Sequence, residues 1–251
     1  MEDLAELRRD CVSLVLVADP FSPLSLTDLR GYFDLVVPFK QHFVADLSMA
    51  TRDIVKGKRY RNARSVLRRM KVEVAEDANA HWVDDWMSLQ HELDRHHSLF
   101  GMKRLSREAT TRLFKTPGLV LFRAILEDVT VGMHVDFVDG DRAYAHLAAY
   151  SASGYRANAS TALNVFEMEY FRGRVDRIDW GGVAGHSDDL HNGLGRFKAR
   201  FSNASLPAYL CGKIFDRRAY DAMAQLNTSV NSSYFPAYRA GDLTCGQSND
   251  V

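Results

Sequence analysis

Hydrophobic positions in the middle of the chain follow the spacing of β-strands. Residues 119–127 are almost continuously apolar, and residues 130–138 and 142–150 alternate between apolar and polar positions. An Asp-Gly pair lies between the last two segments, and such a pair between alternating segments is a strong hairpin signal. The pattern therefore predicts three consecutive antiparallel strands.

Further strands are predicted towards both ends of the chain. Residues 12–18 have the pattern of a short buried strand, and "DPFSPLSLTDL" after them is predicted to be a loop because it carries two prolines. "YFDLVVPF" and "QHFVADLS" predict two more strands, with Pro38 as a break or an edge. "VDRIDWGG" and "AYLCGKIF" predict the last two strands.

Apolar residues at helical spacing occur on both sides of the central strands. Within the cation-rich residues 56–71, four apolar side chains recur at this spacing: Ala63, Val66, Leu67 and Met70. This basic helix leads into "KVEVAED", which predicts an edge strand. "HWVDDWMSLQHELDRHH", "LSREATTRLF" and "ASTALNVFEMEYF" predict further helices. From residue 80 onward, the order helix, helix, three strands, helix, strand, helix, strand indicates an α/β fold with a mixed sheet.

Composition narrows the class of protein. The 251 residues are 46% hydrophobic and 25% charged, which is an ordinary globular balance. Acidic and basic residues cancel at 32 each, which argues against a general polyanion binder but not against a local basic patch. The three cysteines are isolated, as in a reducing compartment. No signal-peptide pattern or membrane-length apolar run is visible, so we expect a soluble cytoplasmic protein without membrane insertion.

Standard catalytic and metal-binding motifs are absent from the sequence. There is no GxSxG, P-loop, HExxH or GxGxxG pattern. His134 and His146 fall on adjacent predicted strands, where separate core or surface roles are favoured. The segment from His186 to His191 has two histidines and two aspartates, but capping of a loop is favoured over metal binding. No metal site is predicted.

Four segments resemble a known family. They are "KGKRYRNARSVLRRMKVEV", "AHLAAYSASGYRANASTAL", "VDRIDWGGVAG" and "GLGRFKARFS". Together they resemble the FemABX-like branch of the GNAT-fold acyltransferases over roughly residues 44–216, in the same order. The resemblance implies a mixed, mainly antiparallel sheet flanked by helices. It also implies a reduced N-terminal lobe (1–55) and a GNAT-like catalytic domain (56–226), while the polar, turn-rich composition of residues 227–251 predicts a C-terminal tail.

The resemblance also implies a reaction. Members of this family commonly transfer an aminoacyl group from charged tRNA to an amine, in cell-wall or natural-product pathways. For this chain it implies a small peptide or amino-acid-derived acceptor and no cofactor. Other GNAT-fold relatives use an acyl-CoA donor, but their pyrophosphate-binding loop is not evident here, which favours tRNA. An acyl-CoA-dependent N-acyltransferase and a non-catalytic RNA-binding or partner-binding module remain as alternatives.

The donor side of the implied site lies in the last matching segment. On the resemblance, Lys198 pairs with a phosphate of the tRNA acceptor end and Phe197 forms an apolar or stacking wall, with Arg196 beside them. Three residues of the basic helix would attract further tRNA phosphates: Arg61, Arg64 and Arg68. A solvated helix face is the alternative for this run, and Arg64 could equally pair with an acidic residue.

Proton transfer and acceptor binding involve other residues. Asp179 is the best protein candidate for a general base, although a strand-end hydrogen-bond acceptor is the favoured alternative for it. A hydroxyl of the terminal adenosine could move the proton instead. Tyr155 and Arg156 at a helix start would line the acceptor pocket with Trp180, where a helix N-terminus would favour a carboxylate.

Overall fold

The computed structural model describes residues 2–76, 80–97, 105–183, 193–226 and 234–240. The helices in chain order are α1 (Glu2–Leu7), α2 (Leu26–Tyr32), α3 (Thr51–Ile54), α4 (Lys58–Leu67), α5 (Ala80–His97), α6 (Arg107–Leu113), α7 (Ala152–Arg156), α8 (Ala159–Phe171), α9 (Gly193–Lys198) and α10 (Arg217–Leu226). The strands are β1 (Ser13–Ala18), β2 (Leu35–Asp46), β3 (Lys71–Ala75), β4 (Leu119–Leu126), β5 (Val129–Asp139), β6 (Arg142–Tyr150), β7 (Arg177–Asp179) and β8 (Ala204–Ile214). Short 3-10 helices cover Ala199–Phe201 and Ala237–Arg239.

The chain divides into two compact units. The larger unit comprises residues 41–206, and the smaller comprises residues 1–40 with 207–251. The division into a lobe at 1–55, a catalytic domain at 56–226 and a tail at 227–251 stays a prediction.

The larger unit contains a mixed, mainly antiparallel sheet. Its strands lie in the order β2-β7-β6-β5-β4-β3. β6 and β7 pair in parallel, whereas β3–β4, β4–β5, β5–β6 and β2–β7 pair antiparallel. Gly140 turns the chain between β5 and β6 at a positive φ of 57°, as expected of the Asp-Gly hairpin. The predicted three-stranded meander and the predicted fold class are therefore confirmed.

Helices cover both faces of this sheet, which explains the continuous apolar run of β4. Val120 and Phe122 point to a core shared with α4 and α8, whereas Leu119 and Leu121 point to a second core with α5 and α6. Alternate residues of one strand face opposite sides of a sheet. Both sets are buried here, so every position from Leu119 to Ala124 is withdrawn from solvent.

The smaller unit pairs β1 with β8 in antiparallel register, from Ser13 opposite Ile214 to Ala18 opposite Tyr209. α2 packs Leu29 into its core. α2 begins with a capping box in which the side chains and backbone N–H groups of Ser25 and Asp28 bond reciprocally. The predicted loop over this segment is therefore wrong from Ser25 onward, because a local cap starts a helix shortly after the prolines.

Of the two alternatives predicted for Pro38, a break in the strand is wrong. β2 continues through Pro38 as one strand. Pro38 and its neighbours Val37 and Phe39 are exposed. A proline that lacks an N–H is tolerated in a strand where that donor is not needed. Within the described parts of the chain, no helix is both long and apolar enough to cross a membrane.

Candidate functional site

The site lies where two parallel strands separate. β6 and β7 pair only from Arg142 opposite Arg177 to Tyr144 opposite Asp179, although β6 continues to Tyr150. After β7 the chain stays beside β2 and leaves β6. The backbone N–H of Trp180 donates to the carbonyl of Phe43 on β2 at 2.9 Å. The edge of β6 beyond Tyr144 is therefore left without β7 as a partner.

A β-bulge changes the direction of β6 beside this opening. Val135 of β5 pairs with Leu147, and the next residue of β5, Asp136, pairs with Ala145. His146 is thus an extra residue in β6. Bulges bend a strand and redirect its side chains, and they are common beside active sites.

A cavity of about 480 Å³ occupies the opening. Its walls come from β5, β6, α7, α8, the segment after β7, α9 and the 3-10 helix that follows α9. Trp180, Phe197 and Phe201 make one side of it aromatic. A largely apolar pocket with a few polar groups is the usual form of a small-molecule site.

Phe197 and Lys198, predicted for the donor side, both line this cavity. Phe197 packs against Phe201 with ring centroids 5.0 Å apart. Phe201 is buried and its carbonyl accepts a hydrogen bond from the indole N–H of Trp180 at 2.9 Å. This contact ties the 3-10 helix to the end of β7 and brings α9 to the cavity. Arg196 is exposed and is not among the lining residues.

The ammonium of Lys198 is held at the mouth of the diverging strands. Its Nζ donates to the carbonyl of Gly182 at 2.7 Å. Gly181 has a φ of 72°, and a Cβ there would lie 3.4 Å from this Nζ. Burial lowers the pKa of Lys198 to about 8, and the charge of Asp179 opposes that shift.

Asp179 ends β7 and accepts two hydrogen bonds. Its Oδ1 accepts from the backbone N–H of Gly181 at 2.7 Å, and its Oδ2 lies 2.8 Å from Nδ1 of His42. Asp179 is buried and is not among the residues that line the cavity. This geometry supports the strand-end acceptor alternative over a role as general base.

The predicted basic helix is confirmed as α4. The cations predicted to bind tRNA from this segment do not line the cavity beside Lys198. Arg64 and Arg68 line a separate cavity of about 470 Å³. Arg64 pairs with Glu169 of α8 at 2.5 Å, which is the alternative noted for it from the sequence. Arg61 is exposed. None of these three residues is among those that line the cavity beside Lys198.

Of the three residues predicted for the acceptor pocket, two line the cavity beside Lys198 and one does not. Tyr155 and Trp180 line the cavity beside Lys198, whereas Arg156 is exposed and does not. The ring of Tyr155 lies against Tyr150, with centroids 5.2 Å apart. The histidine-rich segment 186–191 lies outside the described residues. Among those that are described, no group of three or more potential ligands could hold a metal ion.

A buried polar cluster was missed by sequence reasoning. His134 of β5 bonds through Nδ1 to Glu167 of α8 and through Nε2 to the hydroxyl of Tyr150 on β6. Asp136, two residues after His134, is buried beside them. Burial lowers the pKa of His134 to about 4, so the imidazole is neutral at neutral pH. Burial also raises the pKa values of Asp136 and Glu167.

A signal for this cluster exists in the sequence. α8 is apolar around most of its circumference, with Leu163, Val165 and Met168 all buried. A helix of that composition is surrounded by protein, so a carboxyl on it is forced inside. His134 and Asp136 are two apart on a strand and therefore face the same side.

No protein-family model and no curated protein matches the sequence. Solved structures do match. FemX aligns with a TM-score of 0.66 at 11% identity, over 88% of this chain and 77% of that one. The chain has a FemABX-like fold. At this identity the likeness concerns the fold alone.

Two further solved structures resemble this chain in fold. The C-terminal DUF2156 domain of an Agrobacterium fabrum protein named as a lysylphosphatidylglycerol synthetase aligns with a TM-score of 0.57 at 17% identity, over 83% of this chain and 70% of that one. L-PGS from Bacillus licheniformis aligns with a TM-score of 0.56 at 14% identity, over 76% of this chain and 65% of that one. The fold implied by the four sequence segments is therefore confirmed.

Proposed function

We propose that this protein is an acyltransferase that moves an aminoacyl group from the acceptor end of a charged tRNA to the amine of a small peptide or amino-acid derivative. The observation that carries the proposal is the placement of Lys198, a half-buried cation with a lowered pKa, in the cavity between the diverging strands. Burying an ammonium among aromatic side chains destabilises the fold unless an anion offsets that cost. A phosphate of the tRNA end is such an anion, and Phe197 offers a face on which its terminal base stacks.

The chemistry of ester aminolysis fits the open edge of β6. The reaction needs a neutral amine held close to the ester carbonyl and hydrogen-bond donors for the developing oxyanion. Backbone N–H groups of β6 beyond Tyr144 have no partner on β7 and supply such donors. Tyr155 and Trp180 then form the acceptor wall of the cavity. No cofactor is required, and because charged tRNA is made in the cytoplasm, the reaction takes place there.

The exposed cations of α4 contribute to the same reaction at a distance. Arg61, Arg64 and Arg68 lie away from the cavity, where they attract the tRNA body rather than its acyl end. Such contacts neutralise phosphates and release counterions. Affinity for tRNA is therefore expected to fall steeply with salt, and each of these arginines contributes modestly to that dependence.

A transfer assay tests the proposal. Total tRNA charged with radiolabelled amino acids is incubated with the protein and a panel of small amines, and base-stable label in the amine fraction is counted. We expect transfer from tRNA and none from acetyl-CoA, with Lys198→Ala strongly impaired and Arg200→Ala, at an exposed position in the same segment, close to wild type. Consumption of acetyl-CoA without effect of tRNA would favour the acyl-CoA alternative. Affinity for tRNA without turnover of any donor would favour a binding module.

A further inference from the structure

A buried carboxyl without a partner forms part of the cavity wall. Asp136 lines the cavity, is fully buried, and has no hydrogen-bond partner for Oδ1 or Oδ2 in the described parts of the chain. Buried polar atoms are nearly always bonded, so a carboxyl with two unsatisfied oxygens calls for an explanation. Oε2 of Glu167 is unsatisfied in the same way.

Several titratable groups surround Asp136 from the elements packed around it. They are His134 on β5, Tyr150 and His146 on β6, Tyr155 on α7, Glu167 on α8 and Lys198 on α9. Lys198 donates to the carbonyl of Gly182, and His134 is already engaged by Glu167 and Tyr150. Two buried carboxyls therefore share one region with no described bond from either to a lysine or arginine.

The region is chemically matched to a primary ammonium group. A carboxylate in an apolar cavity is destabilised unless it pairs with a cation. A primary ammonium has three N–H donors that can bond to carboxylate oxygens. The acceptor amine in the proposed reaction enters as an ammonium and must lose a proton before it can attack. We propose that Asp136 binds the ammonium form of the acceptor and takes its proton, an inference that rests on the proposed function.

Proton transfer to Asp136 comes before the acyl transfer. The ammonium transfers one proton to the carboxylate of Asp136 and becomes a neutral amine. The amine nitrogen forms a bond to the ester carbonyl carbon, and the bond from that carbon to the tRNA ribose oxygen breaks. The second amine proton passes to the ribose oxygen, which leaves as a hydroxyl. Asp136 keeps that proton when the amide product leaves and releases it to solvent when the next ammonium binds.

Release of the Asp136 proton on amine binding allows this subsite to be tested without charged tRNA. Burial and the neighbouring Glu167 raise the pKa of Asp136, so the empty site keeps its proton to higher pH than an exposed aspartate does. An ammonium favours the carboxylate, so its binding expels that proton to solvent. Titration calorimetry in buffers of different ionisation enthalpy measures such proton release directly.

The experiment titrates the full chain with n-butylamine and with the neutral n-butanol, without tRNA. We expect n-butylamine to bind better than n-butanol and to release protons. Asp136→Asn should weaken n-butylamine binding by about 10-fold or more and abolish the release. Asp139→Asn, an exposed position on the same strand, should behave as wild type. Because asparagine is nearly isosteric, the melting temperatures should show that both variants fold.

The outcomes separate this inference from the proposed function. Equal binding of n-butylamine by the Asp136→Asn and Asp139→Asn variants would overturn the inference, as would binding of the alcohol as well as the amine or no amine binding by the wild type. Proton release on amine binding, together with no transfer from any charged tRNA, would support the amine subsite at Asp136 and contradict tRNA as the donor. Transfer from tRNA by Asp136→Asn at the wild-type rate would support tRNA as the donor and contradict the subsite.

Discussion

Replacing Lys198 by methionine should leave the protein as stable as the wild type or more so, while it impairs function. Methionine has a similar length and removes the charge of this half-buried side chain. Lowering the lysine pKa from 10.5 to about 8 corresponds to a cost of about 3 kcal/mol for keeping the charge at neutral pH. The lost hydrogen bond to the Gly182 carbonyl offsets about 1.5–3 kcal/mol of that gain. We therefore expect a free energy of unfolding from unchanged to about 1.5 kcal/mol higher.

The difference in the free energy of unfolding between Lys198→Met and the wild type should depend on pH. That dependence would identify the lowered pKa of Lys198 as the cause of the difference. The pKa of Lys198 is about 8 in the native state, whereas its ordinary value of 10.5 applies in the unfolded chain. Between these values the unfolded state binds more protons, so wild-type stability rises with pH. The advantage of Lys198→Met should therefore shrink as the pH increases from about 8 towards 10.5.

Urea unfolding followed by circular dichroism at a series of pH values measures the effect. Lys115→Met, at an exposed position, controls for the loss of one lysine. Transfer activity of Lys198→Met should fall by about 10- to 100-fold, because a charge-assisted contact to phosphate is lost. The reasoning fails if Lys198→Met is less stable than the wild type by more than about 1 kcal/mol at neutral pH, or if the difference does not move with pH.

Three other substitutions, one of them with a matched control, test separate parts of the structure. Asp179→Asn removes the charge that opposes the shift at Lys198, so the pH at which activity falls through loss of the lysine proton should move below about 8 in a pH–rate profile. Gly154→Ala would place a Cβ 2.0 Å from a backbone oxygen of β5 and should lower the free energy of unfolding by more than about 2 kcal/mol, whereas Gly31→Ala has no atom within 4 Å and should be neutral or stabilising in urea melts. Arg64→Ala breaks an exposed ion pair and should cost less than about 1 kcal/mol, yet flatten the salt dependence of tRNA binding measured by filter retention.

The meander and the basic helix could be predicted because their signals are local. Asp-Gly between alternating segments fixes a hairpin, and the apolar spacing from Ala63 to Met70 fixes one face of a helix. The short α2 was missed because the prolines before it outweighed the Ser25–Asp28 cap. A proline restricts its own neighbourhood but does not prevent a helix that starts a few residues later.

The site was predicted only in part, because its polar cluster depends on contacts between distant segments. Phe197, Lys198, Tyr155 and Trp180 do meet at one cavity, and their motifs could be recognised along the chain. Glu167 was missed because a glutamate is seldom fully buried, and the apolar residues around most of α8 were the signal that could have found it.

A crystal structure with a stable analogue of the donor would show where the aminoacyl group binds. The analogue is an adenosine whose ribose carries an aminoacyl group through an amide in place of the ester. We expect its aminoacyl carbonyl to lie between β6 and β7 beyond Tyr144, with the ribose end close to Lys198 and Phe197. An analogue bound at another place, or a coenzyme A molecule that occupies this cavity in preference to it, would show that charged tRNA is not the donor bound here.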